Sequence, residues 1–150
     1  MPQSYRKLFV HIVFCTKLRI TFIDDQIEQH LFSYLGGIAK NLECPPVKIG
    51  GYRNHVHILC ILSQKVLLMT LIEKLKSGSS QWIKTQGAKY QYFYWQSGYA
   101  AFSVSPGSVQ DVKKYIDFQK DHHKRISFQD EYLEFLKQNH MEYDERYIWD

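Results

Sequence analysis

The chain has 150 residues, 45% of them hydrophobic and 23% charged, the composition of an ordinary soluble globular protein with one domain spanning 1–150. Its net charge of +4 and pI near 8.9 are compatible with a nucleic-acid partner without requiring one. No stretch approaches the roughly 18 consecutive apolar residues of a membrane span, there is no charged-then-apolar leader, and Cys15, Cys44 and Cys60 form no CxxC pair, so a cytoplasmic protein of a reducing compartment is expected.

In chain order, Leu8 to Thr16 is β-branched and aromatic and reads as a buried strand. Asp24-Asp25 offer an N-cap and an acidic first turn to a helix over 25–43, with Ile27, Leu31, Tyr34, Leu35, Ile38 and Leu42 at helical spacing. Pro45-Pro46 end it. Val47 to Gly51 and Tyr52 to Leu62 read as two strands, with a bend or tight turn permitted at Gly50-Gly51. Val66 to Gln86 reads as a second helix, with Ser77-Gly78 as a point of interruption. Residues 87–98 are too aromatic for a simple loop and too polar for a core strand. Tyr99 to Val104 alternates as a strand, and Ser105 to Ser108 forms a turn with a helix cap. A third helix runs from Val109 to about Arg125, its apolar side made by Val109, Val112, Ile116 and Phe118. Phe128 to Gln138 reads as a fourth helix, and the residues after His140 as a docked tail.

The order β-α-β-β-α-β followed by helices is the split βαβ arrangement. The expected class is α+β, ferredoxin-like or RRM-like, an antiparallel sheet with helices on one face plus C-terminal helices. His55 and His57 then lie on a central strand. Period-two alternation sends both rings to one side, with Leu59, while Val56, Ile58 and Cys60 take the other. That side is either the helix layer or an open face.

Two imidazoles on an apolar strand need partners, since an unsatisfied buried polar group costs about 1–3 kcal/mol. A metal ion would serve both rings at once. Taken alone, however, such a pair is more often solvent-facing or hydrogen-bonded. Tyr115 and Gln119, at i and i+4, share a helix face one turn apart. A phenol with an ordinary pKa near 10 is a poor nucleophile and needs activation by a base or metal. By itself this second pair also fits a solvated helix face.

Together the motifs are more specific. HIVFCTK early in the chain, HVHIL after a polar residue, KLKSGSS, WQSGYAAFSVS, VKKYIDFQKDHH and then Phe128-Gln129-Asp130-Glu131 follow one another in order. From about Tyr5 to Glu131 the chain resembles the HUH-type single-tyrosine transposases of the insertion-sequence 200/605 group. The resemblance implies that His55 and His57 are metal ligands, Gln119 the third ligand, and Tyr115 the nucleophile. Asn54 stands where many relatives carry aspartate; it retains a carbonyl oxygen without the charge. Also implied are one Mg²⁺ or Mn²⁺ per site, a homodimer, and a substrate of single-stranded DNA with hairpin ends. The implied reaction is transesterification through a 5′-phosphotyrosine link, with no nucleotide cofactor, in keeping with the lack of GxxxxGK[ST]. In this group the tyrosine helix often completes the partner subunit's site. Neutral nitrogen and oxygen ligands suit Mn²⁺ better than Mg²⁺.

Single-stranded DNA favours a cationic track with aromatic platforms. Candidates for the track are Arg6, Lys7, Lys17, Arg19, Arg53, Lys74, Lys76, Lys84 and Lys89, with Tyr90, Tyr92, Phe93, Tyr94 and Trp95 interleaved. Lys113 and Lys114 flank the nucleophile. A solvated face and an aromatic core account for many of these equally well, and His122-His123 read as surface histidines. Two alternatives stand beside a transposase. One is a host-adopted relative acting on repeated palindromic hairpins. The other is a non-catalytic RRM-like binding domain, which calls for stacking aromatics that the histidine strand lacks.

Overall fold

The computed structural model describes residues 2–150. The strands are Phe9–Cys15 (β1), Pro46–Tyr52 (β2), His55–Ile61 (β3) and Ala100–Val104 (β4). The helices are Glu28–Asn41 (α1), Leu68–Ile83 (α2), Val109–Asp117 (α3), Gln119–His122 (α4) and Phe128–Gln138 (α5). All strand pairs are antiparallel, in the order β2-β3-β1-β4, which is the expected ferredoxin-like sheet.

Alternation along the two central strands separates the molecule into layers. Ile12 and Phe14 of β1, with Val56, Ile58 and Cys60 of β3, meet Leu31 and Leu35 of α1 and Leu71 and Leu75 of α2 in the main core. The opposite face carries His11, Val13, Cys15, His55, His57 and Leu59, and it is not open. Phe128, Tyr132 and Leu136 of α5 cover Val13, Cys15, Ala100 and Phe102, while Val109 and Ile116 of α3 cover Leu59. The C-terminal helices thus make a third layer, and the imidazoles lie beneath it.

Several local expectations are revised. The β2–β3 turn falls at Arg53-Asn54, and Gly50-Gly51 lie inside β2. Helix α2 is unbroken at Ser77-Gly78: a Cβ on Gly78 would sit 2.8 Å from Ile38 Cδ1, so the glycine serves the α1–α2 contact. The third helix breaks at Phe118, whose side chain is 58% exposed and not part of an apolar side. Segment 87–98 donates Tyr90, Phe93 and Trp95 to the main core, which explains its aromatic content. The tail docks as expected, with Trp149 against Phe128 and Tyr132 and Gly98 N donating to Asp150 O at 2.7 Å. No helix among the described residues is long and apolar enough to cross a membrane.

Candidate active site

The register of β3 sets the site. His57 faces Val13 on one neighbour and Gly50 on the other. A Cβ at Gly50 would lie 2.7 Å from the Ile116 backbone oxygen, so only glycine lets α3 settle directly over β2 beside His57. Tyr115, the residue before Ile116, then brings its ring to 5.8 Å from that of His57. His55, His57, Tyr115 and Gln119, distant in sequence, meet within a single chain.

Hydrogen-bond polarity bears on what this cluster could hold. Asn54 Nδ2 donates to Arg19 O at 3.3 Å, which turns Asn54 Oδ1 toward His55 Nδ1, 3.0 Å away. His55 therefore carries its proton on Nδ1, and Nε2 presents a lone pair. His123 Nδ1 faces Ile126 O at 2.8 Å, so its Nε2 is likewise the acceptor in the neutral ring. Both Nε2 atoms point at Gln119 Oε1, at 3.0 and 2.9 Å. The Gln119 amide is held in that orientation because its Nε2 faces Tyr115 O and Glu131 Oε2. Three acceptors converge with no proton between them, the donor arrangement of a cation. Among the described residues, His55, His57, His123 and Glu131 form a group able to hold a metal ion, their ligand atoms all within 4.8 Å of one another.

Burial, and next the neighbouring His57, lowers His55 from 6.5 to about 3, keeping the ring neutral and available as a ligand. His11 sits 2.8 Å from His57 Nδ1 through its Nε2, and burial likewise lowers it to about 3. When His57 Nε2 serves as a ligand, Nδ1 carries the proton and His11 accepts it, which fixes the ring from behind. Glu131 lies between the histidines and the phenol. Its Oε1 is 2.8 Å from His57 Nε2, and its Oε2 accepts a short hydrogen bond from the Tyr115 hydroxyl. Burial pushes this carboxyl up, but the neighbouring His57 and His123 outweigh it and hold it well below the usual carboxylate range. Burial and the Glu131 charge raise the Tyr115 phenol above its ordinary value. His122 Nε2 lies 3.1 Å from the same hydroxyl. A cavity of about 200 Å³, lined by Tyr115, His122, Glu131 and Phe135, gives access to the phenol.

His123 is thus no surface residue: its side chain is 5% exposed and lies within the cluster. Sequence reasoning also passed over Glu131 and His11. The signal for Glu131 was present, since it falls on the apolar stripe Phe128, Tyr132, Phe135, Leu136 of α5, where a carboxylate needs a partner. His11 likewise alternates with core residues on β1.

Among the DNA candidates, Arg6, Lys7, Lys17, Lys74, Lys113 and Lys114 are exposed. Arg53 pairs with Asp25, and Arg19 lies over the Trp149 ring. Lys76 is withdrawn: its ammonium is tied to the carbonyl oxygens of Gln96, Ser97 and Gly98, and burial lowers it to about 8. Lys89 pairs with Asp24, and Lys84 bonds Ser80 beneath Tyr94. Tyr90, Phe93 and Trp95 are buried and cannot stack on bases, whereas Tyr92 and Tyr94 are exposed.

Comparison with known proteins bears on this arrangement. Residues 4–119 match the family described as Transposase IS200 like. The chain belongs to that family. This IS200-like transposase is similar to a Deinococcus radiodurans protein assigned as a transposase, with 20% identity and a TM-score of 0.62 over 79% of this chain and 98% of that one. It is also similar to a REP-associated tyrosine transposase bound to a REP hairpin, with 12% identity and a TM-score of 0.60 over 84% of this chain and 74% of that one. At these identities the likeness concerns the fold. No curated protein sequence matches the chain.

Proposed function

We propose that this IS200-like transposase cleaves and rejoins single-stranded DNA by transesterification, with Tyr115 as nucleophile and a divalent cation, Mn²⁺ or Mg²⁺, held by His55, His57 and Gln119. The observation that carries this reading is the meeting of the Tyr115 hydroxyl with the imidazole pair of β3 under one layer of helices. Tyr115 Oη attacks phosphorus, the bond to the 3′-oxygen breaks, and the strand is left joined through a 5′-phosphotyrosine. The phenolic proton leaves toward Glu131 Oε2, its hydrogen-bond acceptor. A later 3′-hydroxyl attacks the same phosphorus and releases Tyr115, so phosphodiester bonds are conserved and no nucleotide is consumed. A bound divalent cation supplies positive charge for the phosphate oxygens and the leaving 3′-oxygen. Asn54 and His11 orient the two histidines, and burial keeps His55 deprotonated.

Lys113 and Lys114, exposed on the helix of Tyr115, are the cations proposed to meet the DNA backbone beside it, with Arg6, Lys7, Lys17, Arg19, Arg53 and Lys74 as further candidates. Two copies would serve strand exchange between two ends, the homodimer that the resemblance implies, acting in the cytoplasm. The coverage of the second sheet face by α3, α4 and α5 opposes a non-catalytic RRM-like binder, which needs that face open. A host-adopted enzyme acting on palindromic hairpins keeps the same chemistry, and the fold shared with a hairpin-bound relative favours it as the second reading. Preference for REP-type hairpins over the hairpin ends of a mobile element would separate the two.

The test is incubation with a labelled single-stranded hairpin and Mn²⁺, followed by a denaturing gel. Wild type is expected to give a covalent protein–DNA band, and Tyr115→Phe none while still retarding the hairpin in a native gel. A covalent band from Tyr115→Phe would remove the nucleophile assignment.

A further inference from the structure

The cluster contains a group that the two-histidine, one-glutamine ligand set does not use: a carboxylate with 3% residue exposure, delivered by the last helix. Glu131 Oε1 lies 2.8 Å from His57 Nε2 and 3.7 Å from His55 Nε2, and Gln119 Oε1 lies 3.0 Å from the latter. Adjacent donors around an octahedral ion with bonds of about 2.1 Å are about 3 Å apart. The oxygens and nitrogens of this cluster therefore already stand at the spacing of neighbouring ligands. The carboxylate is buried with Oε1 toward these ring nitrogens and Oε2 toward the Tyr115 hydroxyl, so it reaches the cluster and the phenol at once.

We propose that Glu131 is itself a ligand of the ion through Oε1, while its Oε2 holds the Tyr115 hydroxyl. This rests on the metal-dependent reading above and extends it. The ion then sees one negative charge and three neutral donors. One carboxylate links it to the nucleophile, so that cation binding and the placement of Tyr115 depend on the docking of α5. The matched family span ends at Gln119, before α5 begins, so the fourth ligand comes from outside it.

The measurement is Mn²⁺ affinity of the full chain without DNA, by calorimetry, for wild type and Glu131→Gln. A ligand role predicts that Glu131→Gln weakens Mn²⁺ binding at least tenfold. A purely structural role predicts the opposite, since removing the anion frees the His57 and His123 ring nitrogens to bind; equal or tighter binding overturns the proposal. Hydrogen exchange on wild type guards against a variant that does not fold. Mn²⁺ should slow amide exchange in Phe128–Gln138, as the ion ties α5 to the sheet, and unchanged exchange there overturns the proposal as well. Wild type that binds no Mn²⁺ would remove the metal reading itself, whereas wild-type binding with an indifferent Glu131→Gln removes only this ligand.

Discussion

Asn54 shows how much one side chain beside the site decides. Its carbonyl does what a carboxylate would do for His55, accepting from Nδ1, because the bond from its amide to Arg19 O holds the carbonyl in place. Partners behind a ligand are typically worth 10–100-fold in metal affinity. Asn54→Ala should therefore weaken Mn²⁺ binding by about that factor, read by calorimetry, whereas Asn54→Asp should preserve it. Unaltered affinity in Asn54→Ala would mean that His55 is oriented by packing alone. The buried rings also make an acid-sensitivity prediction. His11 and His55 are held near 3 in the folded chain against 6.5 when exposed, so below pH 6.5 the unfolded chain binds protons that the folded chain refuses. Their stabilising contribution is complete above about 6.5 and falls as pH drops toward 3, at about 1.4 kcal/mol per pH unit for each ring. The lowered Glu131 carboxyl acts in the same direction at still lower pH. Urea unfolding with chelator present should show a loss of about 2 kcal/mol between pH 6.5 and 5.5; a flat profile would show that the rings are solvated.

At the scale of elements, the decisive contact is α3 on β2. Gly50 has no room for a side chain against the Ile116 backbone, and backbone cannot rotate away as a side-chain tip can. Gly50→Ala should displace α3, destabilise the fold by about 1–3 kcal/mol in thermal or urea unfolding, and reduce covalent-adduct formation more than it reduces hairpin binding. If adduct formation survived undiminished, α3 would not need its close seat. The break at Phe118 belongs to the same scale. Ending α3 at Asp117 and restarting at Gln119 aims the Gln119 carbonyl toward His55 while Tyr115 points at Glu131. Helical periodicity did not reveal that break, because Val109, Val112 and Ile116 keep helical spacing up to it and Phe118 is neither Gly nor Pro, although its side chain faces solvent.

For the molecule as a whole, Tyr115 and the histidines it meets belong to one chain, whereas the resemblance leaves room for a partner's tyrosine. Mixing Tyr115→Phe with His57→Ala protein should therefore give no covalent adduct, since neither chain holds a complete site. Recovery of adduct in the mixture, to a quarter or more of wild type on a denaturing gel, would show that tyrosines are exchanged between subunits.

What was legible from residue order was local and periodic: the strand and helix sequence, the antiparallel class, the pairing of His55 with His57 on one side of β3, and a motif series that singled out Tyr115 and Gln119. Contacts across long stretches of chain were not. Glu131 meets His57 over 74 residues, and His11 meets His57 over 46. An apolar stripe tells a helix that it must be covered, but it does not say by which surface. Only when α5 settles on the second sheet face does a carboxylate that looks ordinary in the sequence become the anion at the centre of the site.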